Sequence, residues 1–483
     1  MDYKIIGHDH RVAAVDMIQV FFPGEKYKAL EEGEYSSRFI ESRFESGLIN
    51  ARFFVDSLLV AEARLQCVCI DIGLGVKESI YELFKGKYHP PWGLLTGIRP
   101  AKIVSKMIDS GLSETDIIRS MQEKYLASPA KAALCLEVAK AERDILEATN
   151  TKSYALYIGV PFCPSRCLYC SFTAYPVAKY THLTKQYIAA VKKELDYAAR
   201  LYKEKELESV YVGGGTPTSL DDESFSQLLE YTAKTFDMAN LKEYTIEAGR
   251  ADTISESKLD IMRHFGVSRI SINPQSMKDE TLVKIGRKHS AAEFVKAYNL
   301  ARKKGFSHIN VDIILGLPDE NEADVSNTLK EITALLPEEI TVHTLALKRA
   351  SKLKEEISSA TIAEAAQMEK FLGLSKYYMD NFSYKPYYMY RQKNSPGNFE
   401  NAGYRKDGYG CLYNVQIMHE RQSIIAAGAG AVSKFVNADH DRIERAFNVK
   451  NVDEYIERTA EMIKRKTAAY NKAAKGVLNN ADH

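Results

Sequence analysis

The amino-acid sequence predicts an α/β fold: a partial (β/α)6 barrel of the TIM type, with an N-terminal α+β domain and a C-terminal, mainly helical extension. Six short apolar runs alternate with segments that carry apolar residues at helical spacing. Successive βα units form parallel sheets with right-handed crossovers, and a parallel sheet covered by helices on one side curls towards a barrel. Six units are fewer than a closed barrel needs, so we expect an opening at one side. The six runs are YALYIGV, SVYVGG, YTIEAG, RISINPQ, HINVDIILG and EITVHTLAL.

The chain divides into three segments by the rhythm of its sequence. Residues 1–150 mix strand-like runs, such as ARFFVDSLLVAEARL, with helical ones, which indicates an α+β accessory domain. Residues 151–355 hold the six βα units of the barrel. Residues 356–483 begin and end with helical patterns around a stretch rich in Tyr, Asn and Gly, and we expect this segment to cover the substrate at the open side of the barrel.

The composition excludes several classes of protein. Of the 483 residues, 45% are hydrophobic and 27% are charged, as in soluble globular proteins. The formal net charge of +1 gives no overall attraction to nucleic acid or to anionic membranes. No run approaches the roughly 18 apolar residues of a membrane span, and the N-terminus lacks the long apolar core of a secretory signal. We therefore expect a cytoplasmic protein without a membrane span and without a nucleic-acid partner.

The cysteines indicate a metal site and argue against a disulfide framework. Their number, seven, is odd, and the chain is too large to depend on disulfide bonds for its core. Cys67 and Cys69 lie in the apolar run LQCVCIDIGLGV, where we interpret them as buried thiols. Three of the remaining five fall within eight residues. The other five cysteines are Cys135, Cys163, Cys167, Cys170 and Cys411.

The run YALYIGVPFCPSRCLYC places Cys163, Cys167 and Cys170 at the spacing Cys-x3-Cys-x2-Cys. Three thiolates on one loop can each bind one iron of a cubane cluster, which leaves the fourth iron free to chelate a ligand through amino and carboxylate groups. Zinc is the competing metal, but a structural zinc site takes four protein ligands, and no fourth Cys or His lies close by in the sequence. The loop follows a predicted strand, where barrel active sites lie.

Further polar residues follow the later strands. The turn Gly213-Gly214-Gly215-Thr216 lets a ligand approach the backbone closely, although a tight turn between strand and helix is the alternative. A carboxylate in an apolar strand is costly unless it is paired or bound to a ligand, so Glu247 and Asp312 require an explanation. An internal Glu–Arg–Asp network that holds the barrel together is the alternative to a ligand site. The four candidates are Glu247, Gln275, Arg287 and Asp312.

The cysteine triplet, with the aromatic Tyr169 before its last member, resembles the signature of radical S-adenosylmethionine (SAM) enzymes. In that superfamily the open iron of a [4Fe–4S] cluster binds the methionine part of SAM. One electron from the cluster cleaves SAM to methionine and a 5′-deoxyadenosyl radical, which abstracts a hydrogen atom from the substrate. The resemblance implies that the three cysteines bind the cluster, that Tyr169 lies at the cofactor site, and that the turn from Gly213 to Thr216 binds the SAM amino group.

The order of the motifs resembles the oxygen-independent coproporphyrinogen III oxidase family. YIGVPFC, GGGTPT, NPQSM, IGRKHS and DIILGLP follow one another as they do there, and the flanks PWGLLTGIRPAKI and YMYRQKNSPGNFENAGY look like its HemZ-type branch. The resemblance implies that Arg287 holds the SAM carboxylate, that Gln275 and Asp312 bind its ribose, and that Glu247 also lies at the SAM site. It implies an oxidative decarboxylation of two propionates of coproporphyrinogen III to vinyls, which gives protoporphyrinogen IX. A reducing partner such as flavodoxin or ferredoxin is implied too.

One departure concerns the substrate. The well-studied oxidase of this family and the related heme chaperone read Tyr-x-His-x-Pro-Phe-Cys before the cluster loop, whereas this chain has Gly159 in place of the histidine and retains Tyr157. A role carried by that histidine is therefore lost, and Tyr157 stays as the candidate catalytic residue. Two other functions remain open: another radical SAM reaction on a tetrapyrrole, such as methyl transfer or heme ring opening, and a heme-binding chaperone. Candidate axial heme ligands for the chaperone are His289, His343 and Met389.

Substrate contacts are expected from cations and aromatic rings outside the barrel. Anionic propionates need cationic partners, and Arg99, Arg391 and Lys393 are candidates, with solvated surface charge as the alternative. The aromatic cluster could stack on a tetrapyrrole face or pack in a core. We expect the segment 387–404, which holds the cluster, to act as the cover of the open barrel. The cluster comprises Tyr387, Tyr388 and Tyr390.

Overall fold

The computed structural model describes residues 1–66, 71–147, 152–172, 174–346, 364–392, 396–437 and 442–475. Cys67, Cys69 and Lys393 lie outside these residues. The chain groups into two compact units, the first formed by residues 1–140, 364–368 and 389–401, the second by residues 141–363, 369–388 and 402–483. In the part of the chain that is described, no helix is both long and apolar enough to cross a membrane.

The first unit contains a five-stranded sheet in the order β2-β1-β3-β4-β5. Strand β1 is parallel to β2 and β3, whereas β3, β4 and β5 form an antiparallel meander. Apolar side chains of α1 and α2 pack with those of the sheet into one buried core, which includes Met17, Ile40, Phe53 and Ile80. The strands are β1 (Asp2–Ile6), β2 (Lys28–Ala29), β3 (Arg38–Glu45), β4 (Leu48–Val55) and β5 (Leu58–Gln66). The helices are α1 (Arg11–Phe21), α2 (Ile72–Phe84), α3 (Ala101–Asp109), α4 (Glu114–Glu123) and α5 (Pro129–Glu147).

All six apolar runs of the predicted barrel form strands, and each pairs with its neighbour in parallel. The sheet does not close on itself within the described residues, because other strands continue it at both ends. The prediction of an α/β fold built on successive parallel βα units is confirmed. The six strands are β6 (Ser153–Val160), β9 (Glu206–Gly214), β10 (Glu243–Glu247), β11 (Arg269–Ser271), β12 (Ile309–Leu315) and β13 (Glu339–Thr344). Between β6 and β9 lies a small parallel pair, β7 (Phe162–Cys163) and β8 (Tyr175–Pro176).

Four of the six helices between these strands begin at polar residues that cap them. Ser290 and Asn321 each form a capping box with an acidic residue three positions on, and Asp221 and Ser255 accept backbone hydrogen bonds at their helix starts. Each of these caps fixes the residue at which a connecting loop ends and its helix begins, and so defines the length of that loop. The helices are α6 (Val177–Leu201), α7 (Asp222–Thr235), α8 (Glu256–His264), α9 (Asp279–Lys284), α10 (Ala291–Lys303) and α11 (Glu322–Ala334).

The C-terminal segment contains five strands that the sequence prediction did not specify. Strand β16 pairs in parallel with β6, so the sheet has a seventh parallel strand, and β17 and β18 continue it antiparallel. At the other end β15 pairs antiparallel with β13. The strands are β14 (Lys385–Arg391), β15 (Glu400–Arg405), β16 (Ser423–Ala427), β17 (Val432–Val436) and β18 (Ile443–Phe447). The helices are α12 (Ala365–Asn381), α13 (Leu412–His419), α14 (Val452–Glu457) and α15 (Thr459–Lys475).

The segment 387–404 is therefore largely strand, with β14 and β15 at one end of the sheet. Residues 402–475 group with the barrel strands in the second unit. The division into three functional domains, and the covering role of the last one, stay predictions.

Charged residues close the amino ends of the parallel strands. Arg269, the first residue of β11, donates to Glu339, the first residue of β13, from Nε at 3.1 Å and from Nη2 at 2.6 Å. His308 and the Tyr387 hydroxyl also contact the Glu339 carboxylate. Burial opposes the charge, but Arg269 and then His308 hold the pKa of Glu339 well below its ordinary value. The two opposite charges at this end of the sheet thus neutralise each other.

We predict that Glu339→Ala strongly destabilises the second unit. Both side chains of the pair are almost wholly buried, and removing one partner of a buried pair typically costs about 3–5 kcal/mol because the other charge is left uncompensated. The midpoint of thermal unfolding should fall by many degrees. The exposed Glu230→Ala, which breaks a surface pair with Lys234, is the control and should change the midpoint little. Equal effects of the two substitutions would contradict this account of the network.

Candidate cofactor site

The cysteine loop follows β6 and is anchored to the turn after α9. The Leu168 amide donates to the Ile285 carbonyl at 3.0 Å, and the Ser165 hydroxyl donates to the Gly286 carbonyl at 3.2 Å. Inside the loop the Cys170 amide donates to the Cys167 carbonyl at 3.1 Å. These bonds hold the loop over the carboxyl ends of the strands, where the sequence predicts it.

The three thiols of this loop are free and largely shielded from water. Burial raises the pKa of the Cys163 thiol to about 11, and burial also raises the pKa of Cys170. Cys163 Sγ lies 3.4 Å from the Thr216 hydroxyl. Such thiols become thiolates on binding a metal, which releases their protons. No three His, Cys, Asp or Glu side chains among the described residues are gathered as ligands of a single ion. Thiols of one loop suit a cluster, in which each binds a different iron.

The glycine turn after β9 is joined to the cysteine segment by backbone hydrogen bonds. The Gly215 amide donates to the Val160 carbonyl at 2.8 Å, and the Thr216 amide donates to the Phe162 carbonyl at 2.7 Å. A Cβ at position 215 would lie 2.6 Å from both of these carbonyl oxygens, and Gly214 has a φ of +98°. Backbone packing alone therefore requires glycine at these two positions. The same packing brings the turn beside Cys163.

Glu247, at the end of β10, faces this turn. Its carboxylate accepts hydrogen bonds from the Tyr211 hydroxyl at 2.7 Å and from the Gly214 amide at 3.1 Å. Burial, together with the nearby Asp312 carboxylate, raises the pKa of Glu247 to about 7. Glu247 thus changes its charge near neutral pH, beside the glycine turn.

Asp312 and Gln275 lie side by side on β12 and after β11. Asp312 accepts from the Asn273 amide group at 2.8 Å and from the Asn310 amide group at 2.7 Å. The backbone of Gln275, in the left-handed region with a φ of +72°, donates to the Asp312 carbonyl at 3.1 Å and accepts from Ile314 at 2.9 Å. Its side-chain oxygen is buried and has no protein partner within the described residues. A strained backbone next to an unsatisfied acceptor is typical of a ligand site.

Arg287 connects this group to the cysteine loop. Its Nη1 donates to the carbonyl oxygens of Gly249 at 2.8 Å and Asn273 at 3.0 Å, and its Nη2 donates to the Tyr169 hydroxyl at 2.8 Å. Its Nε is buried without a partner among the residues described. No ion pair in the described ranges joins Arg287 to Glu247 or Asp312, so the internal Glu–Arg–Asp network that the sequence left open does not form.

Taken together, the predicted site residues form one connected group at the carboxyl ends of the strands. The buried atoms without partners are a donor, Arg287 Nε, and an acceptor, Gln275 Oε1. A ligand with both hydroxyl and carboxylate groups satisfies such a pair, and the cysteine loop next to it has the donor set of an iron–sulfur cluster. The residues present therefore fit a [4Fe–4S] cluster with SAM beside it.

Tyr157, on β6, belongs to a stack of three aromatic rings. Its ring lies 6.1 Å from that of Tyr211 and 5.9 Å from that of Tyr413, and the latter two are 4.5 Å apart, all with interplanar angles of 25° or less. A Cβ at Gly159 would make ordinary contacts with Tyr157 and with the carbonyl oxygens of Ala427 and Ala429. The position of the family's histidine thus lies beside the Tyr157 ring, next to the loop that follows β16.

Sequence reasoning missed four residues of this region. Tyr211 precedes Gly213 by two positions and Asn273 precedes Gln275 by two, so strand alternation could have indicated both. Arg250, which contacts the cysteine loop, follows Glu247 by three residues but has no recognisable spacing. Tyr413 is far from the barrel in sequence, and only its place on α13 brings it to the stack.

The described residues proposed for substrate contact fall in both compact units. Arg391 is buried in the first unit, where it donates to the carbonyl oxygens of Leu95 and Asn398 and lies over the Trp92 ring. Its guanidinium therefore serves the packing of that unit. Arg99 is half-buried in the same unit. Tyr387 and Tyr388 are buried in the second unit, as the core-packing alternative expects.

The candidate heme ligands are also buried or engaged. His289 is 3% exposed, with Nδ1 3.7 Å from Asp252. His343 lies 3.7 Å from the Asp312 carboxylate at the candidate SAM site, and Met389 is buried in the first unit. His343 thus lies beside a residue of the candidate cofactor site.

The sequence of this chain is similar to those of known proteins. Residues 157–332 match the radical SAM superfamily. The chain is 38% identical over 395 residues to the oxygen-independent coproporphyrinogen-III oxidase-like protein HemZ of Bacillus subtilis (strain 168), a match that covers 80% of this chain and 78% of HemZ. It is 30% identical over 190 residues to the heme chaperone HemW of the same organism, covering 39% of this chain and 49% of HemW.

Among solved structures, the coproporphyrinogen III oxidase HemN of Escherichia coli, a radical SAM enzyme, has a similar fold. The TM-score is 0.54 at 22% sequence identity, over 67% of this chain and 73% of HemN. At this identity the likeness concerns the fold alone, and it agrees with the parallel sheet described above.

We predict that Glu247→Gln stabilises the ligand-free protein increasingly as the pH rises. The folded protein holds the Glu247 proton more tightly than the unfolded chain, because its pKa is raised from 4.5 to about 7. The resulting loss of stability is absent below the lower value, grows between the two and is complete above the higher one. Glutamine keeps an acceptor for Tyr211 but cannot ionise.

The thermal midpoint of the variant, compared with that of the parent, should therefore rise between about pH 4.5 and about pH 7. The exposed Glu457→Gln serves as the control and should show no such trend. A difference that is independent of pH would show that Glu247 does not titrate in this range.

Proposed function

Because this chain belongs to the HemZ family of radical SAM proteins, whose members use a [4Fe–4S] cluster and SAM, we propose that its cysteine loop carries the cluster. We propose that SAM is bound by the glycine turn and by the polar residues near the loop, Glu247, Gln275, Arg287 and Asp312. Cys163, Cys167 and Cys170 are the proposed ligands. One observation carries the proposal: the loop is hydrogen-bonded to the turn after α9 and, through Arg287 and Tyr169, to the polar group on β11 and β12.

The proposed role of each SAM-binding residue agrees with its unpaired hydrogen-bonding atoms and with its neighbours. Arg287 would hold the SAM carboxylate with its unpaired Nε, and its other donors fix the side chain on Gly249, Asn273 and Tyr169. Gln275 and Asp312 accept hydrogen bonds from the ribose hydroxyls. Glu247 and the turn from Gly213 to Thr216 hold the SAM amino group. Because these groups are pre-positioned by protein contacts, little ordering is required on binding.

The substrate that we propose is coproporphyrinogen III, converted to protoporphyrinogen IX by oxidative decarboxylation. When bound, the reduced cluster and SAM supply the chemistry that removes a hydrogen atom from the substrate. Each propionate that becomes a vinyl loses one hydrogen atom, CO2 and one further electron, which an external one-electron acceptor takes up. A small one-electron donor, of the flavodoxin or ferredoxin kind, reduces the cluster. Support comes from the likeness to HemZ over most of both chains.

Within the barrel, Tyr157 is the residue that we propose to contact the substrate. Its ring is fixed by Tyr211 and Tyr413, and burial raises the pKa of its hydroxyl well above the ordinary value, so it remains a neutral hydrogen-bond donor. Gly159 lies next to this ring, at the position of the histidine in the family pattern, and supplies no side chain there. The substrate end of the site is accordingly less polar here, which bears on how the tetrapyrrole is held.

Two alternatives keep the same cofactor site. Another radical SAM reaction on a tetrapyrrole, such as methyl transfer or ring opening, would differ in product. A heme chaperone function, named for the relative HemW, would show stoichiometric heme binding without turnover of SAM.

We predict that the anaerobically reconstituted protein, given SAM, a reductant and coproporphyrinogen III, forms 5′-deoxyadenosine and a product lighter by two CO2 and four hydrogens. Tyr157→Phe should lower product formation more than the slow cleavage of SAM without substrate, because it removes only the hydroxyl of a stacked ring. Mass spectrometry measures both compounds.

Arg302→Gln, on α10 and paired with Glu338, is the control and should retain both rates. A methylated or ring-opened product would replace the proposed reaction by one of the other radical SAM functions. Tight heme binding without 5′-deoxyadenosine would favour the chaperone.

A further inference from the structure

Arg250 lies in the loop after β10 and is 3% exposed. Its Nε and Nη2 donate to the two carboxylate oxygens of Asp252, each at 2.9 Å. This bidentate pair fixes the plane of the guanidinium. The remaining nitrogen, Nη1, points away from Asp252.

That free end contacts the cysteine loop. Nη1 donates to the Ser165 hydroxyl at 3.1 Å and to the Ser165 carbonyl at 3.3 Å. The same nitrogen lies 3.7 Å from Cys167 Sγ, which is hydrogen-bonding distance for sulfur. Cys167 is itself only 9% exposed, so water screens the contact little. The Arg250 guanidinium thus contacts the sulfur of one proposed cluster ligand through Nη1, while the Asp252 carboxylate is bound to its Nε and Nη2.

We propose that Arg250 is a positioning residue that sets the reduction potential of the cluster through the Cys167 sulfur, and that Asp252 moderates this effect. The inference rests on the proposed function, which places the cluster on Cys163, Cys167 and Cys170. One-electron reduction adds a negative charge to the cluster, and a fixed guanidinium next to a ligand sulfur stabilises that charge. Hydrogen bonds to the sulfurs and local charge are the means by which proteins adjust such potentials.

The alternative is a purely mechanical role, in which Arg250 only clamps the loop through Ser165. The two roles differ in the sign of their effects. If Arg250 acts by its charge, removing it and removing its carboxylate partner must move the potential in opposite directions. If it only clamps the loop, loss of either partner loosens the same contacts, and the potential moves in one direction or not at all.

The experiment is a redox titration of the reconstituted protein without SAM or substrate, followed by electron paramagnetic resonance of the reduced cluster. Arg250→Gln should shift the midpoint potential to more negative values, and Asp252→Asn should shift it to more positive values. Arg250→Lys keeps the charge but loses the forked contact, so its potential should lie between those of Arg250→Gln and the parent. Arg302→Gln removes an ion-paired arginine away from the loop and should leave the potential unchanged.

Iron and sulfide analysis of each protein separates the possible failures. A parent protein that loads no cluster overturns the proposed function and this inference with it. A parent that loads a cluster, with shifts of the same sign or no shift in Arg250→Gln and Asp252→Asn, overturns the inference alone. If Arg250→Gln holds no cluster, the sign of the shift in Asp252→Asn decides: a positive shift supports the inference, and any other result overturns it.

Discussion

The parallel register between β6 and β9 is the constraint on which the proposed site depends. It pairs Gly159 with Gly213 and Val160 with Gly214, so the segment leading to Cys163 and the glycine turn leave the sheet side by side. Beyond the strands, the Gly215 and Thr216 amides continue this pairing to Val160 and Phe162. The cysteine loop is thereby held against the sheet by the backbone itself, and a one-residue slip would separate it from the turn and from Glu247.

Charged side chains find different partners at the two ends of the parallel strands. At the amino ends Arg269 and Glu339 form a buried ion pair, and His308 and Tyr387 also contact the Glu339 carboxylate. At the carboxyl ends Asp312 accepts hydrogen bonds from neutral amide groups, Arg287 donates to backbone carbonyls, and buried polar atoms of Gln275 and Arg287 have no partner within the described residues. Unsatisfied buried groups cost stability, so the two at the candidate site are understandable if a ligand completes them. We interpret the charged network at the amino ends as stabilising the fold, and the carboxyl ends as the binding site.

Sequence patterns predicted the six parallel strands and the candidate SAM-binding residues, because both are recognised from short segments of the sequence. Strand periodicity identified β6 and β9 to β13, and motif order indicated Arg287, Gln275 and Asp312. What the sequence could not give depends on contacts between distant residues. Nothing near Ser423 predicts that β16 pairs with β6, and no spacing brings Tyr413 to Tyr157. Arg391 was a candidate for substrate contact because it is cationic. Its burial against Trp92 follows from the folding of the first unit, which composition does not reveal.

The most direct test of the central claim is the iron content and Mössbauer spectrum of anaerobically reconstituted protein, with and without SAM. The account predicts one [4Fe–4S] cluster per chain in the parent and in Cys135→Ala, a buried thiol on α5. It predicts none in the variant with alanine at positions 163, 167 and 170. Addition of SAM should change the spectrum of one iron of the cluster and leave the other three as they were. A cluster that persists in the triple variant, or a spectrum that SAM leaves unchanged in the parent, would contradict the account.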